Sequence, residues 1–234
     1  MMREGGGMLA EMLSALASEV RPGIRTRELD EMVEEWMAQK GVVASFKGYN
    51  GFPASVCVSV NEEVVHGIPG ERLLRQGDIV SLDLGVHHRG FHTDAAITVP
   101  VGEVSEEARQ LIETTRESLL EGIRQARPGN HVGDIGAAIQ RYVEERGFSV
   151  IREYTGHGVG RQLHEDPQVP NFMCGRGAML RPGMTLAIEP MVAAGDWRTR
   201  VGADKWVVLT ADGSPAAHFE HTIAVTDGEP EVFA

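Results

Sequence analysis

The sequence is poor in cysteine, with two cysteines, Cys57 and Cys174, among 234 residues. Two cysteines are too few for the disulfide framework of a small secreted domain or for a cluster of thiolate metal ligands. The default compartment for such a chain is the reducing cytoplasm. Any metal site would therefore depend on histidine and carboxylate side chains.

The chain also lacks an excess of basic residues, since 22 Lys and Arg face 34 Asp and Glu, for a formal charge of −12. Binding to nucleic acid needs basic patches, so this class of partner is excluded as the main one. No apolar run approaches the ~18 residues of a membrane helix, and the acidic, Gly-rich start "MMREGGGMLAEM" is unlike a signal peptide. Without a long exposed apolar stripe, we expect a monomer with no membrane partner.

What the chain does contain is an internal repeat. Arg-Pro-Gly begins at Arg21 and again at Arg127, and Gly41 and Gly147 keep the same offset. Each segment predicts a turn followed by an amphipathic helix. We therefore expect one catalytic domain over 1–234, built from similar halves of about 1–115 and 116–234.

The coarse pattern predicts an α+β fold. Helices are expected at about 4–20, after Thr26, from Ser105 to about Ala126, and again in the second half. Strands are expected around 55–61, 79–85, 92–99, 149–155, 184–192, 205–210 and 218–226. The strands of both halves should form one curved, antiparallel-rich sheet with helices on its outer face.

Four carboxylates occupy strand positions that apolar residues would normally fill. Asp83 and Asp94 lie in "VSLDLGVHHRGFHTDAAITV", and the repeat aligns Glu189 with Asp83 and Glu220 with Asp94. A turn near 88–89 would put the two aspartates almost opposite each other, where like charges repel. Buried carboxylates are costly unless a cation holds them. Two divalent ions would match the four negative charges, so we expect a two-metal site.

A histidine ligand would favour manganese, iron, cobalt or zinc over magnesium and calcium. The best candidate is His157 in "YTGHGVGRQLHEDP", which lies between two glycines that let the backbone approach a ligand closely. His164 follows seven residues later in the same segment. The stretch is therefore expected to belong to the same site as the acids.

Five segments together resemble a known family in their order and approximate spacing. They are "NEEVVHGIP", "SLDLGVHHRGFHTDAA", "TGHGVGRQLHEDP", "AIEPMV" and "FEHTIAV". The chain is similar in these to the type I methionine aminopeptidases, which are metallopeptidases with the pita-bread fold. The resemblance implies removal of the N-terminal methionine from nascent proteins and peptides with a small second residue, through a hydroxide activated by two divalent ions (Co, Mn, Fe or Zn). The implied partner is the N-terminal peptide of a nascent protein, met free or at the ribosome.

The resemblance also implies a role for each matching residue. Asp83 would bind one metal, His157 and Glu189 the other, and Asp94 and Glu220 would bridge both. Glu189 would also accept the proton of the attacking water. His66 and His164 match the two catalytic histidines that are not metal ligands.

The methionine slot is implied by matching positions as well. Its expected walls are Tyr49, Phe52, Cys57 and Trp206. Phe46, Phe52 and Leu163 depart from the residues frequent in the family, which changes the shape of the slot and leaves the metal ligands untouched. Two rival functions stay open at this point: an X-Pro aminopeptidase or dipeptidase of the same fold, and a binding protein without activity.

Overall fold

The computed structural model describes residues 1–234 as four α-helices, one short 3₁₀ helix (Tyr49–Gly51) and fifteen strands. The helices are α1 (Met2–Glu19), α2 (Thr26–Lys40), α3 (Glu106–Arg124) and α4 (Val132–Glu144). The strands of the first half are β1 (Val43–Ala44), β2 (Val56–Val60), β3 (Glu63–Val65), β4 (Ile79–His88) and β5 (Phe91–Pro100). Those of the second half are β6 (Ser149–Val150), β7 (Gly156–Gly158), β8 (Glu165–Val169), β9 (Thr185–Ile188), β10 (Met191–Ala193), β11 (Thr199–Val201), β12 (Val208–Thr210), β13 (Ala216–His218), β14 (Glu220–Ala224) and β15 (Glu231–Val232).

One large sheet carries both halves of the chain. Its nine strands follow the order β1-β4-β5-β14-β9-β7-β8, with β2 paired to β4 and β15 paired to β14. Two three-stranded sheets, β13-β10-β6 and β11-β12-β3, complete the fold. Every strand pair is antiparallel.

The two halves repeat each other in backbone detail. Gly23 and Gly129, one at each Arg-Pro-Gly turn, have φ of 90° and 89°, a left-handed conformation that favours glycine. The helices that follow begin alike, since Glu28 accepts a hydrogen bond from the Arg25 amide and Asp134 accepts one from the His131 amide, both at 2.7 Å. The predicted α+β fold with pseudo-symmetric halves is confirmed, while the division near residue 115 stays a prediction.

The helices cover one face of the large sheet and leave the other face for polar side chains. Leu82 and Leu84 of β4 pack in an apolar cluster with α1 and α2. Because side chains alternate along a strand, Asp83 between them points to the opposite face. In the second half Leu186 and Ile188 of β9 pack with α3 and α4 in the same way.

The hairpin between β4 and β5 differs from the sequence prediction by its register. Arg89 and Gly90 form the turn with φ of 50° and 82°, as a two-residue turn with left-handed conformations requires. Asp83 therefore pairs with Ala96, and Asp94 pairs with Gly85. The prediction that the aspartates lie almost opposite each other was wrong by two residues. They share one face as a diagonal pair.

Two predicted strands of the second half are broken at the site. The strand expected over 184–192 ends at Ile188 and resumes at Met191, because Pro190 has no N–H for the ladder. The strand expected over 218–226 is interrupted at Phe219, whose amide donates to the Pro190 carbonyl at 3.3 Å. The strand expected over 149–155 is also too long, since β6 ends at Val150. The strand β8 was not predicted, and its Pro167 is unusual for a strand.

None of the four helices combines the length and the apolar composition required to cross a bilayer.

Candidate metal centre

The four predicted carboxylates converge on the polar face of the large sheet. Ala96 of β5 pairs with Asp83 on one side and with Glu220 on the other, so these two acids flank it across three adjacent strands. Asp94 lies two residues before Ala96 on the same face. Glu189 enters from the neighbouring strand, where it follows Ile188, the pairing partner of His221.

The backbone around Asp94 is fixed by a side chain of the second half. The Thr222 hydroxyl accepts from the Asp94 amide and donates to the Asp94 carbonyl, both at 2.8 Å. This pair of bonds joins β5 to β14 where their carboxylates meet. Carboxylates from sequence-distant halves are thereby held in one register.

His157 extends the cluster from β7, which pairs with β9 and β8. A Cβ at Gly156 would lie 2.4 Å from the Ala187 carbonyl oxygen, and one at Gly158 would lie 2.2 Å from the Asp166 carbonyl oxygen. The flanking glycines are thus required by the close approach of both neighbouring strands. The His157 Nδ1 bonds the Gly158 carbonyl at 2.9 Å, which leaves Nε2 facing Glu189 Oε1 at 3.4 Å.

The electrostatics of the cluster call for a cation. Burial, and then the neighbouring acids, raise the pKa of Asp94, Glu189 and Glu220 well above the ordinary range, and burial raises the pKa of Asp83 to about 7. The carboxylates of the cluster form ion pairs with histidine, and no lysine or arginine takes part in these pairs. One buried oxygen each of Asp83, Asp94 and Glu220 has no hydrogen-bond partner. Orphaned carboxylate oxygens of this kind fit a hard or borderline divalent ion.

The donor atoms form two overlapping groups that share Glu220. Asp94, His157 and Glu220 make one group, and Glu189, His218 and Glu220 make the other, with the atoms of each within 4.8 Å of one another. Burial lowers the pKa of His157 to about 4, so its imidazole is neutral and able to bind a metal at neutral pH.

His218 was missed by the sequence reasoning. Its signal was its place in "HFEHTIAV", two residues before Glu220, where the repeat aligns it with His92 of "HTDAAITV". His92 itself lies outside the cluster and bonds the Ser45 hydroxyl at 2.8 Å. The repeat therefore gave no reason to single out either histidine.

A cavity of about 290 Å³ opens onto the carboxylates. Its size is at the lower end of the range of ligand pockets, about 300–1,000 Å³. All the predicted site residues line it, joined by three that were not in the predicted set. The lining residues are Phe46, Tyr49, Asn50, Phe52, Cys57, His66, Asp83, Asp94, His157, Leu163, His164, Glu189, Trp206 and Glu220.

One wall of the cavity is apolar. Phe46, Phe52, Cys57 and Leu163 are buried in one cluster, and Trp206 packs its ring edge-on against Phe52 at 5.2 Å between centroids. A Cβ at Gly85 would lie 2.8 Å from the Phe46 ring, so the glycine at this position lets the Phe46 ring pack close to the strand that carries Asp83. An apolar side chain bound against this wall would have its backbone beside the acids.

Two histidines complete the cavity. His164 lies at the exposed rim, where its Nδ1 is 2.9 Å from the Tyr49 hydroxyl and its ring centroid is 4.2 Å from that of His157. His66 has a left-handed backbone with φ of 62°, which is uncommon for a residue with a side chain. Burial lowers the pKa of both imidazoles, so neutral rings line the cavity. The positive φ of His66 is a form of backbone strain that is found most often at functional sites.

Comparison with known proteins places the chain in one family over nearly its full length. The model of metallopeptidase family M24 matches residues 1–227. The methionine aminopeptidase 1 of Bacillus subtilis is 52% identical over 227 residues, which are 97% of this chain and 92% of that protein. The crystal structure of methionine aminopeptidase from Thermotoga maritima is 47% identical with a TM-score of 0.97, and the match covers 99% of this chain and 94% of that one.

Prolidases share the fold at a greater distance. A prolidase from Pyrococcus furiosus has a TM-score of 0.81 and 21% identity, and the match covers 99% of this chain and 62% of that one. This likeness concerns the fold alone. The full-length family match and the high identity to its aminopeptidases show that the chain belongs to metallopeptidase family M24.

Proposed function

We propose that this protein is a type I methionine aminopeptidase, which hydrolyses the peptide bond after an N-terminal methionine. One observation carries the proposal: four carboxylates without a lysine or arginine partner, three of them buried and Glu189 half-buried, line one cavity with His157 beside an apolar wall. The full-length similarity to methionine aminopeptidases supports the same activity.

The chemistry of the donor set fits divalent metal ions. Asp83, Asp94, His157, Glu189 and Glu220 would hold two of them, drawn from cobalt, manganese, iron and zinc, because two dications match four negative charges and the two donor groups overlap at Glu220. When bound, divalent ions supply Lewis acidity and lower the pKa of water to about 7.

Glu189 is the proton acceptor of this proposal. Its carboxylate lies between the imidazoles of His157 and His218 and lines the cavity in which the substrate would bind. It would take the proton of the attacking water and later return it to the leaving amine.

His164 and His66 would act on the scissile peptide group. The Tyr49 hydroxyl holds the His164 Nδ1, which leaves Nε2 free to donate to the substrate carbonyl oxygen as negative charge develops there. His66, on the cavity wall, would contact the scissile amide nitrogen. Donors of this kind contribute about 3–4 kcal/mol each to the transition state.

The apolar wall would select methionine as the first residue. Its thioether is flexible and polarizable, and it packs well against the aromatic rings of Phe52 and Trp206 and the thiol of Cys57. The second residue should be small, because the peptide must pass close to the carboxylates. We further propose that the substrates are N-terminal peptides of nascent proteins, met in the cytoplasm or at the ribosome by a monomer.

The test is cleavage of Met-Ala-Ser by protein purified anaerobically, with its metal content measured and each candidate metal added in turn. Release of methionine with a metal requirement is expected, and Asp94→Asn should abolish it while the exposed Asp227→Asn does not. Faster cleavage of X-Pro peptides than of Met-Ala and Met-Gly peptides would instead indicate a dipeptidase-type specificity. Tight peptide binding without turnover under any metal would indicate a binding protein.

A further inference from the structure

His218 is the one histidine of the metal centre that no sequence argument selected. It ends β13, and its side chain is 1% exposed and outside the cavity lining. The Thr98 hydroxyl accepts from the His218 amide and donates to its carbonyl, both at 2.8 Å. On the other side His218 pairs with Met191, two residues after Glu189. The backbone of His218 is therefore fixed from two sides behind the cluster.

The imidazole of His218 has no hydrogen-bond partner on either nitrogen. Its Nε2 lies 3.9 Å from Glu189 Oε2, while the other oxygen of Glu189 faces the His157 Nε2 at 3.4 Å. A fully buried polar ring without a partner is costly, so the arrangement indicates a contact made when the site is loaded. A small rotation of the Glu189 carboxylate would bring its oxygen within hydrogen-bond reach of His218.

We propose that His218 is a positioning residue for Glu189: its Nε2–H donates to Oε2 and turns Oε1 toward His157 and the metal. The inference rests on the proposed function, since it needs the metal site. The position of His218 favours this role over direct binding of the metal. The His157 Nδ1 bonds a backbone carbonyl, the usual arrangement of a ligand histidine, whereas the His218 Nδ1 has no such partner and the ring lies outside the cavity.

Few other contacts fix the orientation of the Glu189 carboxylate. The Asn171 side chain donates to the Glu189 carbonyl at 3.0 Å, which fixes the backbone but does not hold the carboxylate. Without a donor on Oε2, the carboxylate should sample orientations that do not bind metal. Loss of such an outer partner typically lowers metal affinity 10–100-fold.

The test is titration of Co²⁺ into metal-free protein, followed by calorimetry and by the d–d absorption of the bound ion. His218→Leu should weaken Co²⁺ binding about 10-fold or more. His218→Gln keeps an N–H donor of similar reach, so it should bind within about threefold of wild type with an unchanged absorption band. His221→Leu is the matched control: it removes a half-buried histidine one residue past Glu220, on the opposite face of β14, and should leave Co²⁺ affinity unchanged.

Each result of the titration supports or overturns the positioning role of His218. If folded His218→Leu binds Co²⁺ as tightly as wild type, the positioning role of His218 is overturned. It is also overturned if His218→Gln binds Co²⁺ as weakly as His218→Leu. A shifted absorption band in His218→Gln would make His218 a ligand and also overturn it. If the leucine variant does not fold, His218→Asn replaces it, because the shorter amide cannot reach Oε2 and should bind Co²⁺ weakly where His218→Gln does not. Absence of Co²⁺ binding by wild type would contradict the proposed function itself.

Discussion

In protein stripped of divalent ions, the contribution of Asp83 to the free energy of unfolding should fall as the pH rises from about 4 to about 7. Burial raises the pKa of Asp83 from 3.8 to about 7 in the folded, metal-free protein. Below about pH 4 the group is protonated in both the folded and the unfolded chain. Between the two pKa values the unfolded chain has lost the Asp83 proton that the folded chain keeps, so the contribution of Asp83 to the free energy of unfolding decreases with rising pH.

The size of this effect follows from the shift. A difference of about three pKa units corresponds to about 4 kcal/mol, at 1.36 kcal/mol per unit. For a chain of this length that is roughly 8–16 °C in melting temperature. The raised pKa values of Asp94, Glu189 and Glu220 act in the same direction as Asp83, whereas the pKa values of His157 and His218, lowered to about 4 and about 3, act in the opposite direction. The effect of Asp83 is therefore measured as a difference from Asp83→Asn. Bound metal reverses the sign, because ligands must be deprotonated and binding then stabilises the folded state more at higher pH.

The assay is calorimetric melting of chelator-treated protein at about pH 4 and about pH 8, with Asp83→Asn as the internal reference. Metal-free Asp83→Asn should melt near wild type at the lower pH and well above it at the higher pH, although the variant binds metal poorly. The exposed Asp227→Asn should track wild type throughout. A difference between wild type and Asp83→Asn that does not change with pH would refute the account of Asp83 as a buried acid without a cation.

Three further results are expected. Asp94→Asn should lose most activity and bound metal while its circular dichroism stays native, and full turnover with metal added would contradict a metal-binding role for Asp94. His164→Ala should lower kcat about 100-fold with metal content unchanged, whereas loss of metal would make His164 a ligand. Tyr49→Phe removes the hydrogen bond to the His164 Nδ1 and should lower kcat about 2- to 12-fold, because such a bond contributes about 0.5–1.5 kcal/mol. KM and metal content should stay close to wild type. An unchanged kcat would show that the bond does not orient His164.

The repeat made much of the fold predictable. The repeat aligned Asp83 with Glu189, and the same offset aligns Gly77 with Gly183. The structure keeps the equivalence, since these glycines have φ of 93° and 91°. The acids could be chosen from the sequence because charge is conspicuous in an apolar strand.

Register and strand ends were harder to predict. The hairpin turn was placed one residue early, and a shift of one residue in the turn moves the facing partners by two. The signal was the Arg89-Gly90 pair, since a two-residue turn needs left-handed conformations that glycine adopts readily. Pro190 was likewise a visible reason to end the strand at Ile188.

The strand break at Pro190 explains why the metal centre is asymmetric although the halves are alike. In the first half β4 runs unbroken past Asp83, so this side chain projects from a continuous strand onto the polar face of the large sheet. In the second half the chain leaves the large sheet right after Glu189 and enters the small sheet of β10 and β13. That change of sheet brings His218 behind Glu189, where the first half has no equivalent contact for Asp83. A repeated sequence thus gives two acids with different environments, and only the one at the break is in a position to be oriented from behind.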